Sequence, residues 1–116
     1  MLSVSSCSKE IRIKNDLVGL WNLDIVYQKG RDVTKQFYEF NYTLLLESNQ
    51  HFTLYMDSQK ILGEWQYSRS KNQVFLTNEN GFEKTFNFVN IDAYELVLSE
   101  IVDDNLLTVM YFVRRS

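Results

Sequence analysis

The residues able to carry covalent or metal chemistry are few. The chain holds one histidine, His51, and one cysteine, Cys7, far apart in the sequence. A Ser-His-Asp triad needs an oriented imidazole, and His51, in Asn-Gln-His-Phe-Thr, is expected where a turn enters a strand. One His and one Cys cannot supply the four ligands of a structural zinc site. The adjacent carboxylates Asp103 and Asp104 stand in Asp-Asp-Asn, the composition of a hairpin turn. No glycine-rich loop is present that could cradle a phosphate. The expectation is a protein that is not an enzyme, with no metal and no cofactor.

Charge narrows the partners. The 116 residues carry a formal charge of −3, whereas nucleic acid and anionic lipid call for a clustered basic face. The basic runs Lys-Glu-Ile-Arg-Ile-Lys and Arg114–Arg115 are short and lie near the two ends, as solvated segments do. Aromatic residues, 15% of the chain, are too dispersed for a base-stacking platform. No apolar run approaches the roughly 20 residues that cross a bilayer as a helix. With one cysteine there is no internal disulfide, so packing alone must hold the fold.

Two elements of organisation follow. Residues 1–15 read as a flexible leader, and residues 16–116 as one domain. A chain of this length buries roughly 65% of its unfolded surface, and 45% hydrophobic residues provide a core. Within the leader, Val-Ser-Ser-Cys (Val4–Cys7) resembles the end of a bacterial lipoprotein signal, in which the thiol accepts a diacylglyceryl group. No charged and apolar signal segment precedes it, so two readings stand: a sequence that starts late, or an ordinary N-terminus with one exposed thiol. Helix is hard to place elsewhere than around Lys9–Gly19.

The domain shows a two-residue period almost throughout. Trp21, Leu23, Ile25 and Tyr27 alternate with Leu20, Asn22, Asp24 and Val26; Tyr38, Phe40, Tyr42, Leu44 and Leu46 share a face from Phe37 to Glu47. Phe52, Leu54 and Met56 follow, then Gly63, Trp65 and Tyr67, then Val74 and Leu76, then Phe82, Phe86 and Phe88. Two further runs, Ala93–Ile101 and Leu106–Arg114, make eight candidate strands. The connections are short and rich in turn formers, and in Asn-Glu-Asn-Gly the position of Gly81 suits a left-handed turn. Only Gln28–Lys35 exceeds a tight turn. Eight hairpin-linked strands protect their edges by rolling up, so the predicted fold is all-β: an eight-stranded antiparallel up-and-down barrel. In the last strand Leu107, Val109 and Tyr111 compete with Met110 and Phe112 for the inner face.

With these strands and Gly-Leu-Trp opening the first, the chain resembles the lipocalin-like proteins, and among them the small domains of Bacteroides-type envelope lipoproteins. The resemblance implies that Gly19 and Trp21 close one end of the barrel, with Arg114 or Arg115 packed across the indole. Gly-x-Trp also recurs at Gly63–Trp65. The resemblance further implies a non-catalytic binding domain in the cell envelope, facing the periplasm or exposed on the outer membrane, tethered through a lipid on Cys7.

The expected ligand is a small hydrophobic molecule in the barrel interior, lined by Phe40, Tyr42, Phe52, Leu54, Met56, Trp65, Phe86 and Phe88. These same residues would equally fill a small barrel as its core. The alternative function is a compact barrel that acts through its loops on another protein, as an inhibitor does. Gln28–Lys35 or Ser68–Asn72 would then make the contact.

Overall fold

Strand β1 (Gly19–Gln28) organises the molecule because it pairs on both sides. The computed structural model describes the backbone of residues 2–38, 42–102 and 106–115, and the side chains of 9–36, 42–101 and 106–115. Phe40, Asp103, Asp104 and the Cys7 side chain lie outside the described residues. After β1 come β2 (Arg31–Asp32), β3 (Thr43–Leu46), β4 (His51–Met56), β5 (Gln59–Ser68), β6 (Gln73–Thr77), β7 (Glu83–Ile91), β8 (Glu95–Val102) and β9 (Leu106–Arg115). β1 pairs antiparallel with β3, and each of β3 to β8 with the next. β9 then returns to β1, with Leu20 opposite Arg115 and Gln28 opposite Thr108. The result is a closed eight-stranded antiparallel barrel, with two-residue β2 added outside on the far half of β1.

Register decides which side chains face inward. Trp21, opposite Arg114, and Leu23, opposite Phe112, point into the barrel. A β-bulge between Leu23 and Ile25 then reverses the phase, so Val26 opposite Met110 is buried while Ile25 and Tyr27 turn outward. This corrects the expected alternation, which put Trp21, Leu23, Ile25 and Tyr27 on one face. The same register settles the last strand: Thr108, Met110, Phe112 and Arg114 face inward, and Leu107, Val109, Tyr111 and Val113 face outward.

The candidate strand from Phe37 is also corrected. Phe37 and Tyr38 belong to a five-residue helix, α2 (Thr34–Tyr38), and β3 begins only at Thr43. Local chemistry overrides the alternation. The Asp32 carboxylate accepts hydrogen bonds from the Thr34 backbone N–H (2.9 Å) and hydroxyl, and Thr34 Oγ1 in turn accepts from Val26 N–H at 3.0 Å. Those bonds hold the Asp32 carboxyl below its ordinary pKa, the side-chain bond from Thr34 first. Gly81 has φ of 90° in the β6–β7 turn, where the sequence placed a left-handed residue.

Leu2–Leu17 forms a helix, α1, which overlaps the Lys9–Gly19 stretch where helix was expected. Ile13 and Leu17, four residues apart and so on one helical face, are both buried in the core. Glu10 Oε1 accepts from the Arg69 backbone N–H at 3.4 Å, which ties the helix to the β5–β6 turn. The helix is driven by this docking: short helices are marginal alone, and their stability comes from the face they bury.

Candidate functional site

Arg114 links four pieces of structure at one end of the barrel. Its guanidinium carbon lies 4.2 Å from the centroid of the Trp21 ring. Its donors reach the carbonyls of Asp16 (2.7 Å), Val18 (2.9 Å) and Ala93 (3.1 Å). Asp16 is in the last turn of α1, where carbonyls lack helical partners and a cation is favoured by the dipole. The Trp21 indole N–H donates to the Leu17 carbonyl at 2.9 Å, in the same turn. A β-carbon on Gly19 would overlap Arg114 Nη1, so glycine leaves the room the guanidinium occupies. Of the two basic candidates, Arg114 therefore crosses the indole. Arg115 faces out, opposite Leu20. This end is closed.

The residues expected to line a ligand fall into two groups. Phe52, Leu54, Trp65 and Phe86 are fully buried in one cluster with Trp21, Leu44 and Leu76, while Met56 and Phe88 pack against its margin. Trp65 holds structure together: its indole N–H donates to the Glu47 carbonyl at 2.9 Å, and its backbone N–H to that of Gln50 at 2.8 Å. Tyr42 is different. Buried and tilted against Phe112 at 6.0 Å between centroids, its hydroxyl has no hydrogen-bond partner among the described residues. The same holds for the hydroxyl of buried Tyr67, which stands edge-on to Phe88 at 5.7 Å.

Near Tyr42 the inner face carries charge. Glu100 follows Leu98 by two residues and pairs with Thr108, so it faces inward with both. Lys84, opposite inward Leu76, forms an ion pair with Glu100 at 3.0 Å, with side-chain exposures of 25% and 13%. The Gln28 amide donates to the Thr108 hydroxyl at 3.0 Å. Burial, and secondarily the Glu100 charge, push the Tyr42 pKa far up. These groups sit toward the end away from Trp21, where β1 and β8 finish and β7 and β9 begin.

Sequence reasoning named none of Lys84, Glu100 and Thr108, and took Gln28 only as the start of a loop. The signal was present, since Lys84 has the parity of Phe86 and Glu100 that of Leu98. Charged residues in a strand are normally read as outward, and here two of opposite sign neutralise each other inside.

The candidate contact loops are folded against the barrel. Asn72 Nδ2 donates to the Phe88 carbonyl at 3.0 Å, and Gln28–Lys35 is occupied by β2 and the start of α2. His51 opens β4 on the exposed face.

An unpaired buried hydroxyl costs about 1–3 kcal/mol. Tyr42→Phe is therefore expected to raise stability by about 1 kcal/mol in urea unfolding. The elevated Tyr42 pKa adds a pH dependence. Tyr42 stays neutral in the fold but ionises near 10 once unfolded, so its contribution is complete below about pH 10 and is lost as pH rises above that. The variant should flatten this alkaline decline.

A scan against protein-family models finds no match for this chain, and a search of curated proteins finds no relative.

Proposed function

We propose that the domain is a non-catalytic, lipocalin-like binding module that takes a small, largely apolar molecule with a neutral hydrogen-bonding head. The observation that carries this reading is the Tyr42 hydroxyl, buried at the edge of an apolar interior and without a partner among the described residues. Such a group is expensive in a pure core and useful where a ligand oxygen or nitrogen completes it. The neighbouring charges select the head. Glu100 already neutralises Lys84, and its carboxylate beside Tyr42 opposes a second anion. A hydroxyl or carbonyl meets no such penalty.

Native mass spectrometry of protein from its own cells tests this directly, with a co-purifying apolar mass expected. In vitro, the probe is the neutral fluorophore N-phenyl-1-naphthylamine, displaced by a long-chain primary alcohol or by the matching carboxylate. The alcohol should displace it about tenfold better, and Tyr42→Phe should weaken the alcohol by about tenfold, the value of one hydrogen bond. Absence of any probe binding, or equal displacement by acid and alcohol, rejects the reading.

The Val-Ser-Ser-Cys stretch supports the accompanying proposal of an envelope lipoprotein anchored at Cys7, periplasm-facing or on the outer membrane. Because α1 leads into the closed end, such an anchor leaves the Tyr42 end pointing away from the lipid. Alkyne-palmitate labelling in native cells should mark the protein and should fail for Cys7→Ser.

A further inference from the structure

We infer that the outer wall formed by β1, β9 and β8 is a self-association face, on which a second copy of this chain packs about a two-fold axis. An antiparallel barrel normally turns polar side chains to solvent. Here the outward residues are Ile25 and Tyr27 on β1, Leu107, Val109, Tyr111 and Val113 on β9, and Val97, Ser99 and Ile101 on β8. None is charged. Tyr27 and Tyr111 meet edge-to-face at 5.8 Å in the middle of the wall, and Val97 and Ser99 are nearly buried between their neighbours. The wall is thus already close-packed and rigid. This explains why the last strand reads as apolar on both faces.

The occupant follows from area and charge. A groove of about 330 Å³ lies between Tyr27, Lys29, Leu107, Val109 and Tyr111. Beside it, Ile101, opposite Leu107, stands 62% exposed as a projecting knob. Hollow and knob both stand at the Lys29 end of the wall, and Ile101 adds exposed apolar area to the face. From strand spacings the patch measures about 20 by 20 Å, or roughly 500 Å² per copy with its rim. Two copies reach about 1,000 Å², the threshold for a specific interface and below that of an obligate dimer. The rim is polar, with Lys29 at one end of the wall and Glu95 and Arg115 at the other. A two-fold axis set diagonally across the three strands exchanges the ends of the wall and brings Lys29 of each copy toward Glu95 of the other, giving an apolar centre with a charged margin.

Sedimentation of the 116-residue chain tests this. The mass should rise from monomer toward dimer between about 10 µM and 1 mM, the range expected of so small an interface. Val109→Lys, an outward substitution, should weaken dimerisation at least about tenfold, while Gln66→Lys on the opposite outer wall leaves it unchanged. Circular dichroism checks that both variants stay folded. A charge reversal guards against indirect effects: Glu95→Lys alone should weaken the dimer, and Glu95→Lys with Lys29→Glu should restore it. A monomer throughout, or a dimer indifferent to Val109→Lys, overturns the inference.

Discussion

Trp21→Ala should destabilise the protein by about 3–5 kcal/mol, a large part of the 5–15 kcal/mol that holds a domain of this kind. Three losses coincide. The indole is fully buried, so its removal leaves a cavity in the central cluster. The Leu17 carbonyl loses its donor, and Arg114 loses the ring on which it lies. The second and third losses fall on α1, whose last turn is held by that donor and by the Arg114 bond to Asp16. Hydrogen exchange over residues 9–17 should therefore accelerate more than exchange in β4 or β6. Trp21→Phe keeps most of the apolar area and loses only the N–H, so a cost of about 1–2 kcal/mol is expected. If Trp21→Ala cost less than about 1 kcal/mol and left α1 protected, the plug would be ordinary packing.

The parts of this arrangement that were legible in the sequence are those that repeat. Alternation runs through Phe52–Met56, Trp65–Tyr67 and Phe86–Phe88, and closure follows because eight short-looped strands have two edges to protect. What was not legible is where a single residue breaks the repeat. The bulge at Asp24 has no compositional mark, yet it sends Ile25 and Tyr27 to the outside, where they join the largely apolar wall. The α2 turn depends on Asp32 and Thr34 closing on each other two residues apart, a pairing that local geometry completes and periodicity does not contain. The leader helix was legible only in part, around Lys9–Gly19, for another reason. Ile13 and Leu17 make only half a face, and a half-face is convincing only once the barrel end it covers is known. Tyr42 was expected inside. The parity of Lys84 with Phe86 and of Glu100 with Leu98 was there to read, but strand charges read as outward until register pairs them with inward residues.

Gly63→Ala is expected to cost about 3 kcal/mol, near the upper end for overpacking, although it adds one methyl group. The second Gly-x-Trp repeats the physical logic of the first at another place. Trp65 is buried with its N–H on a backbone carbonyl, as Trp21 is, and the glycine two residues before it permits a close approach. At Gly19 the approaching group is the mobile end of Arg114. At Gly63 it is backbone: a β-carbon would overlap the Thr77 carbonyl oxygen and stand 2.7 Å from Phe52 Cε1 and 2.9 Å from Asn78 Cβ. The ring can rotate away, but the carbonyl can retreat only if β6 moves from β5, where Glu64 faces Thr77 and Trp65 faces Leu76. Phe52→Leu relieves the ring contact alone, so adding it to Gly63→Ala should recover little stability beyond the sum of the two single effects. Thermal melts of the four proteins in that cycle measure this. A coupling that restores most of the loss would place the conflict at Phe52 and leave the β5–β6 approach free.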